Sequence, residues 1–360
     1  MNRKKFITSL SVASVGAAVF PFSILAKPSM SQDRDLAGLL KDESSIIKPP
    51  RLKSGDKIAI VAPASYISEE ELQDSIKNLN QLGFETSYSE KILLQKGYFA
   101  GSDKDRAIDL MEKFSDKSIK GIVCARGGYG GARILPLLNY KIIRANPKVL
   151  IGYSDVTALL YGIYKKAGLI TFHGPVGTST FNDYSVGNFK KVLMNPERNM
   201  VFTNSESGDD ENIYGVTTIV KGKGKGRLAG GNLSIMVSLI GTPYDVNYSN
   251  KIIFIEEVGE EPYRIDRMLT QMIEAGKFKH AAGIMMGIFS NCEPKEKNPS
   301  YNKSFSLMEV LVDRFAKLKI PVVYGMSFGH VKDKFTIPFG ARAELDADKQ
   351  TFTLLEKAVK

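Results

Sequence analysis

Apolar and polar positions along this chain follow two alternating periods. Lys57-Ile58-Ala59-Ile60-Val61-Ala62 is a short apolar run closed by Pro63, which has the length and composition of a buried strand. Leu72, Ile76 and Leu79 then recur at helical spacing and predict a helix stopped by Gly83. Residues 84–88 predict a strand, Ile108, Leu110, Met111 and Phe114 a helix, and residues 119–124 a further apolar run. Such alternation predicts an α/β fold with a parallel sheet covered on both faces, whose ligands bind at the carboxyl ends of the strands. Farther on, residues 226–233 lead from a strand into a helix. The run 252–255 ends at Glu256-Glu257-Val258-Gly259-Glu260-Glu261-Pro262, and Pro262 begins a helix with Ile265, Met268, Leu269 and Met272 on one face. A helix near residues 307–318, a strand over 320–324, a loop over 325–330 and short β-structure ending at Leu355 complete the pattern. Between the two halves the chain turns polar, with Asn, Ser, Asp and Glu clustered over 204–211. This places a junction at 184–215, between an N-terminal α/β domain over 51–183 and a C-terminal β/α domain over 216–360.

The stretch that organises the first half is Val149-Leu150-Ile151-Gly152-Tyr153-Ser154-Asp155-Val156, which reads as strand, sharp turn, helix. Val156, Leu159, Leu160 and Ile163 form one helix face and Ala167-Gly168 the stop. A serine at such a turn points out of the strand ends beside the first N–H groups of the helix, as at a nucleophile elbow. Val156 stands where the second glycine of G-x-S-x-G would be, and the alternative is that Ser154 or Asp155 simply caps the helix. Arg126-Gly127-Gly128-Tyr129-Gly130-Gly131 follows the preceding strand and comes before a helix predicted over 132–138. Bare backbone there either approaches a ligand or makes a tight structural turn. In a parallel sheet the two turns face one cleft.

Length and composition set bounds on these readings. At 360 residues and 43% hydrophobic, the chain buries one large core or two ordinary ones. Arg3, Lys4 and Lys5 precede an apolar, small-residue run over 6–25, and Ala26 offers a cleavage position, so residues 1–26 read as an export signal of the Sec or twin-arginine-like kind. A polar linker over 27–50 follows. Pro21 and the polar residues in the run make it a poor spanning helix, so no stable membrane insertion is expected after processing. Removing residues 1–26, which carry three positive and no negative charges, lowers the net charge from +10 to +7. The remaining positive residues are spread out except over 221–227, which a solvated hairpin explains as well as a ligand does. No nucleic-acid module is present. Cys124 and Cys292 lie in or beside apolar runs and read as isolated thiols.

Only three histidines are available for acid–base work: His173, His280 and His330. Glycines around His330 make it the one best placed to swing onto a serine. No H-E-x-x-H or similar spacing exists, so neither a metal nor another cofactor is expected.

Several motifs in order carry a resemblance. They are Val61-Ala62-Pro63-Ala64-Ser65, Ala100-Gly101-Ser102 to Arg106, Arg126-Gly127-Gly128-Tyr129-Gly130, Ile151-Gly152-Tyr153-Ser154-Asp155, His173-Gly174-Pro175, Gly230-Gly231-Asn232-Leu233, Glu256-Glu257-Val258-Gly259-Glu260 with Tyr263-Arg264-Ile265-Asp266-Arg267, and Gly329-His330. Over nearly all of residues 51–356 the chain resembles the serine peptidases typified by L,D-carboxypeptidase, with the microcin-immunity peptidases as a second branch. The resemblance implies Ser154 as nucleophile, His330 as base and Glu256 as its orienter. It also implies oxyanion and substrate contacts at Gly127, Gly128, Asp155 and Asn232, a Rossmann-like N-terminal domain and a homodimer. The substrate it implies is a murein tetrapeptide cut before its terminal D-alanine. Hydrolysis of a peptidyl-nucleotide conjugate, as in the microcin branch, and a muropeptide-binding protein without turnover are the other readings. An export signal departs from the cytoplasmic recycling role of that family, and with it the chain is expected to be exported to the periplasm. Because the triad is divided between the two predicted domains, separated halves are expected to be soluble and inactive.

Overall fold

Apolar runs of four to eight residues cannot bury themselves alone, and here they assemble into two sheets. A computed structural model describes residues 46–206, 213–295 and 303–360, so the predicted export signal and most of the linker lie outside the described residues. The first half contains β1 (Lys57–Val61), α1 (Glu69–Gln81), β2 (Glu85–Ser87), α2 (Asp103–Ser115), β3 (Ile119–Cys124), α3 (Gly131–Ile134), α4 (Tyr140–Ala145), β4 (Val149–Gly152), α5 (Thr157–Ala167) and β5 (Thr171–His173). Then come α6 (Asp183–Leu193), β6 (Met200–Phe202), β7 (Thr217–Val220), β8 (Lys223–Asn232), α7 (Leu233–Ser238), β9 (Lys251–Val258), α8 (Pro262–Glu274), β10 (Gly283–Ser290), α9 (Leu307–Phe315), β11 (Val322–Gly329), β12 (Ile337–Phe339), β13 (Arg342–Asp346) and β14 (Thr351–Leu354).

The smaller sheet has the order β12-β5-β4-β3-β1-β2 and is parallel except for β12. The larger has the order β6-β14-β13-β8-β9-β10-β11-β7, with β8 to β11 parallel and antiparallel strands at both sides. Helix starts are set locally. Ser68 and Glu71 form a reciprocal cap on α1, and Ser102 and Asp105 form another on α2. Gly168, at φ 69°, ends α5 in the left-handed conformation that glycine adopts without steric cost.

Several expectations change once the chain is folded. Residues 325–330 are not a loop: β11 continues through Gly329, so His330 leaves the tip of a strand whose residues are all buried. The apolar side chains of Met326 and Phe328 find the core, which favours pairing over a flexible excursion. The helix expected over 132–138 is cut short by Pro136, leaving α3 and a 3-10 turn over Leu135–Leu137. The junction over 184–215 contains most of α6 and the edge strand β6, because Val192, Leu193 and Phe202 bury against the core. The basic run over 221–227 is not a hairpin. Its residues from Lys223 onward belong to β8, where Lys223 and Lys225 pair with Asp346 at 2.9 Å and Glu344 at 2.8 Å across the ladder to β13.

The two halves also share structure. β12, from the end of the chain, completes the first sheet, and the C-terminal Lys360 exchanges backbone hydrogen bonds of 2.9 Å with Pro49 and Arg51. Phe339 on β12 sits 4.9 Å from the Tyr161 ring and 4.8 Å from the Tyr164 ring of α5, and 6.1 Å from Phe254 on β9. One hydrophobic core therefore spans both sheets. Phe339→Ala is expected to lower unfolding free energy by about 3–5 kcal/mol. Urea unfolding followed by far-ultraviolet and aromatic circular dichroism should still give one shared transition, and two separated transitions would show that the sheets unfold independently.

Candidate active site

The Ser154 turn is built by steric necessity. A Cβ on Gly152 would lie 2.9 Å from Val156 and 3.2 Å from Cys124, so only glycine lets the strand fold back into the helix at this distance. Ser154 itself has φ 62°, a conformation that costs a non-glycine residue about 1–3 kcal/mol and is kept where packing over-determines it. Val156, in place of the second motif glycine, is fully buried. Neither Ser154 nor Asp155 caps the helix that follows. The Asp155 carboxylate turns away instead and accepts the Gly131 N–H at 2.6 Å.

That hydrogen bond ties the serine turn to the glycine turn. A Cβ on Gly127 would lie 2.8 Å from the Ser154 Cβ and 3.3 Å from the Asp155 nitrogen, so the two backbones approach as closely as glycine allows. Gly128, at φ 105°, is exposed beside them. From the other side Arg106, only 2% exposed, donates to the Pro63 carbonyl at 2.6 Å and the Gly130 carbonyl at 2.9 Å, and pairs with Asp103. Arg106 ends one of the motifs that carry the resemblance, yet the resemblance assigns it no role in the site. Its signal is there, since it falls in helical register with Leu110 and Phe114 on the buried face of α2.

The second sheet supplies an acid and a base. Glu256 and Asn232 are register partners on β9 and β8, and Glu256 is fully buried. Its Oε2 lies 2.7 Å from Nδ1 of His330, whose side chain is 21% exposed. Gly329 makes the approach possible: at φ 113°, a Cβ there would meet Glu256 Cβ at 3.0 Å and Ile288 O at 3.1 Å. Ser290 Oγ donates to the His330 carbonyl at 3.1 Å and fixes the backbone beyond it. The Tyr153 ring, next to Ser154, stands edge-on to the His330 ring with centroids 4.9 Å apart, which joins the serine turn to the acid–base pair. Lys334 Nζ sits 4.7 Å over the same Tyr153 ring. Strand alternation sends Glu257 the other way. There it accepts from Ser234 N–H at 2.8 Å, Ser234 Oγ at 2.7 Å and Asn232 Nδ2 at 3.0 Å, and so anchors the start of α7. Asn232 also caps α7 through Ile235 N–H and donates its own N–H to Thr157 at 3.1 Å, so its polar atoms are engaged within the protein.

Residues 58–174 match the family model described as LD-carboxypeptidase N-terminal domain, and residues 225–345 match the LD-carboxypeptidase C-terminal domain. The chain belongs to the LD-carboxypeptidase family. It is 36% identical over 309 residues to a probable murein peptide carboxypeptidase of Bacillus subtilis, covering 84% of this chain and 93% of that protein. The crystal structure of muramoyltetrapeptide carboxypeptidase from Oxalobacter formigenes superposes with a TM-score of 0.69 at 29% identity, over 83% of this chain and 97% of that one. The structure of the immunity protein MccF in complex with glutamyl sulfamoyl guanosine superposes with a TM-score of 0.79 at 25% identity, over 87% and 99% of the two chains. Membership makes the protein a serine peptidase of the carboxypeptidase class.

In this family member the two histidines near the site have opposite electrostatics. His173 is 1% exposed, with the Phe254 and Phe328 rings against it, and burial pushes its pKa down to about 4. It stays neutral inside the core, while His280 is exposed on the surface. For His330 burial also favours the neutral ring, yet the charge and hydrogen bond of Glu256 outweigh it and raise the pKa above the ordinary 6.5. Burial likewise pushes the Glu256 carboxyl up, but His330 more than reverses this and holds it below the ordinary 4.5. The sign of the linkage follows. Stabilisation from Glu256 is present above 4.5 and lost as pH falls through its lowered value. Stabilisation from His330 is present below 6.5 and lost as pH rises through its raised value. Both are whole between those two values. Among the described residues no group of three or more His, Cys, Asp or Glu side chains could hold a metal ion.

Histidine titration by nuclear magnetic resonance tests this arrangement. His330 in the intact protein should titrate above 6.5, and in Glu256→Gln markedly lower, because burial and the Lys334 charge then work against only the weaker pull of Glu257. An unchanged midpoint would mean that Glu256 does not set the charge of His330. His173 should show no protonation until about pH 4.

Proposed function

We propose that Ser154, His330 and Glu256 act as a catalytic triad that hydrolyses the L,D amide bond of murein tetrapeptides and releases the terminal D-alanine. The observation that carries this reading is the buried Glu256 carboxylate 2.7 Å from Nδ1 of His330, whose ring stands against the Tyr153 ring next to Ser154. His173, the other histidine beside Tyr153, stays neutral near pH 7 and lies fully within the core. Glu256 holds the imidazole in the tautomer with Nδ1 protonated, leaving Nε2 to take the Ser154 proton as Oγ attacks the carbonyl. The N–H groups of Asp155 and Gly128 receive the oxyanion, a contact whose loss lowers rate by roughly two to three orders of magnitude. His330 then returns the proton to the departing amine, and water repeats the sequence on the acyl-enzyme. Arg106 and the Asp155 carboxylate keep the glycine turn in place by holding Gly130 and Gly131. The names of the murein peptide relatives support the substrate class, and the signal-like residues 1–26 support action outside the cytoplasm.

A second reading is favoured by the higher structural similarity to MccF, whose complex holds glutamyl sulfamoyl guanosine. Here the same nucleophile would attack the acyl carbonyl of an aminoacyl-sulfamoyl nucleotide. Incubation with both substrate types, read by mass, separates the two: loss of one D-alanine from the tetrapeptide supports the first, and release of the sulfamoyl nucleoside alone supports the second.

Ser154→Ala should lower turnover by on the order of 10^6-fold while leaving thermal unfolding essentially unchanged, since alanine keeps the Cβ at the φ of 62°. Near wild-type turnover in that variant would remove Ser154 from its role. Since His330 must be neutral to accept a proton, kcat/KM should rise with pH through a midpoint above 6.5. A midpoint at or below that value would place the essential base elsewhere.

A further inference from the structure

The triad leaves one buried oxygen unaccounted for. Glu256 is fully buried, and only Oε2 of its carboxylate meets His330, at 2.7 Å. Oε1 is equally shut off from solvent and has no hydrogen-bond partner among the described residues. Asn232, the register partner of Glu256 on β8, exerts a small pull on it, yet gives its amide to Glu257 at 3.0 Å. A carboxylate out of water keeps only the bonds that its surroundings give it, so a buried oxygen of this kind calls for a donor.

A second unbonded atom lies close by. His173 is 1% exposed, and its Nδ1 is likewise buried with no partner among the described residues. Its motif, His173-Gly174-Pro175, is one that the triad does not use. Three observations place the His173 ring beside Glu256. Its centroid is 5.4 Å from that of Phe254, which shares a face of β9 with Glu256 because side chains two apart on a strand point the same way. It is 6.0 Å from the Tyr153 ring, which also stands edge-on to His330 at 4.9 Å. The two groups also act on each other: Glu256 draws the His173 pKa up against burial and against the charges of His330 and Lys334, and His173 helps to hold that of Glu256 down. Such mutual pull belongs to groups a few ångströms apart.

A residue needed only to fill this space would be apolar, like Phe254 and Phe328 around it. An imidazole among aromatic rings loses its hydration for nothing unless its nitrogen is used. Nδ1 and Oε1 make no direct hydrogen bond, and two buried polar atoms so placed are the usual partners of a single internal water.

We infer that His173 is a positioning residue of the triad: one buried water links its Nδ1 to Oε1 of Glu256 and holds the carboxylate with Oε2 aimed at His330. The inference rests on the triad reading above and adds the support behind its acid. Without that support the carboxylate can rotate about its last bond, and the imidazolium formed during the reaction loses a fixed partner. A neutral ring suits the place, since a lysine or arginine there would compete with His330 for the charge of Glu256.

A high-resolution crystal structure of the intact protein should show an ordered water within hydrogen-bond distance of both atoms, and its absence overturns the inference. Two variants read the function. His173→Phe keeps a ring among rings without a polar atom, whereas His173→Asn returns a polar atom to the position of Nδ1. In His173→Phe kcat should fall about 10- to 100-fold with KM unchanged, and in His173→Asn it should stay within about threefold of wild type. Equal losses in both variants, or none in His173→Phe, overturn the role. The proton on Nδ1 of His330 supplies a signal that packing alone would not set. Its far-downfield nuclear magnetic resonance line, which reports the bond to Glu256, should move upfield in His173→Phe and return in His173→Asn, and an unmoved line in His173→Phe overturns the inference. Should His173→Phe not fold, the ordered water of the intact protein still decides. If the wild-type protein hydrolyses no substrate, the hydrolase reading fails, while the water and the His330 line still settle what His173 does.

Discussion

A carboxylate removed completely from water must find a partner, and around Glu256 this requirement shapes the site. Leaving such a charge unpaired costs about 3–5 kcal/mol, so Glu256 and His330 constrain one another strongly. Their contact demands a backbone path at the end of β11 that passes within van der Waals distance of the Glu256 side chain. Only a residue without Cβ fits that path, and Gly329 supplies it. The bond to Ser290 beyond it fixes the direction in which the histidine leaves. Geometry of this kind is held by parallel strands that cannot slip without exposing a buried face.

On the serine side the constraint is closeness of backbone instead of charge. Gly127, Gly131 and Gly152 each stand where a methyl group would collide with the serine turn or with the strand before it. The polypeptide is thereby drawn into a tight bend around Ser154, and the strain stored at its φ of 62° is maintained by the packing of Val156 and by the Asp155–Gly131 hydrogen bond. Arg106 holds the opposite side of the bend from within the core, with two backbone carbonyls and Asp103 replacing its water shell. Rigid backbone donors of this kind need no reorganisation as charge develops, which is why they suit an oxyanion.

Two pairs of like residues show how neighbours set roles. Glu256 and Glu257 are adjacent in sequence, yet one faces His330 and the other anchors a helix, because side chains alternate across a strand. Burial raises the pKa of Glu257, with the nearby Glu256 charge adding to it, while His330 holds Glu256 down. His173 and His330 both lie near Tyr153, but aromatic surroundings keep the first neutral and a carboxylate makes the second the more basic.

Much of this was legible in the chain before folding. Apolar runs closed by proline or glycine marked β1 and β4 closely, since a buried strand must be apolar and must stop where the backbone turns, whereas β9 continues past the expected end at residue 255 and carries Glu256 and Glu257 inside the strand. Ser154 stood out because a strand, a glycine and a helix start within eight residues leave a serine few places to point. The motifs in order then implied Glu256 and His330 as its partners. What the sequence by itself could not decide were the long-range choices. That residues 325–329 extend a strand, that β12 returns to close the first sheet, and that lysines over 223–225 answer acids over 344–346 all depend on partners more than a hundred residues apart or on burial that no local period reports. Whether Glu256 or its neighbour meets the histidine is likewise set by which face of β9 turns toward the end of β11, and that is fixed only when both sheets have closed over one core.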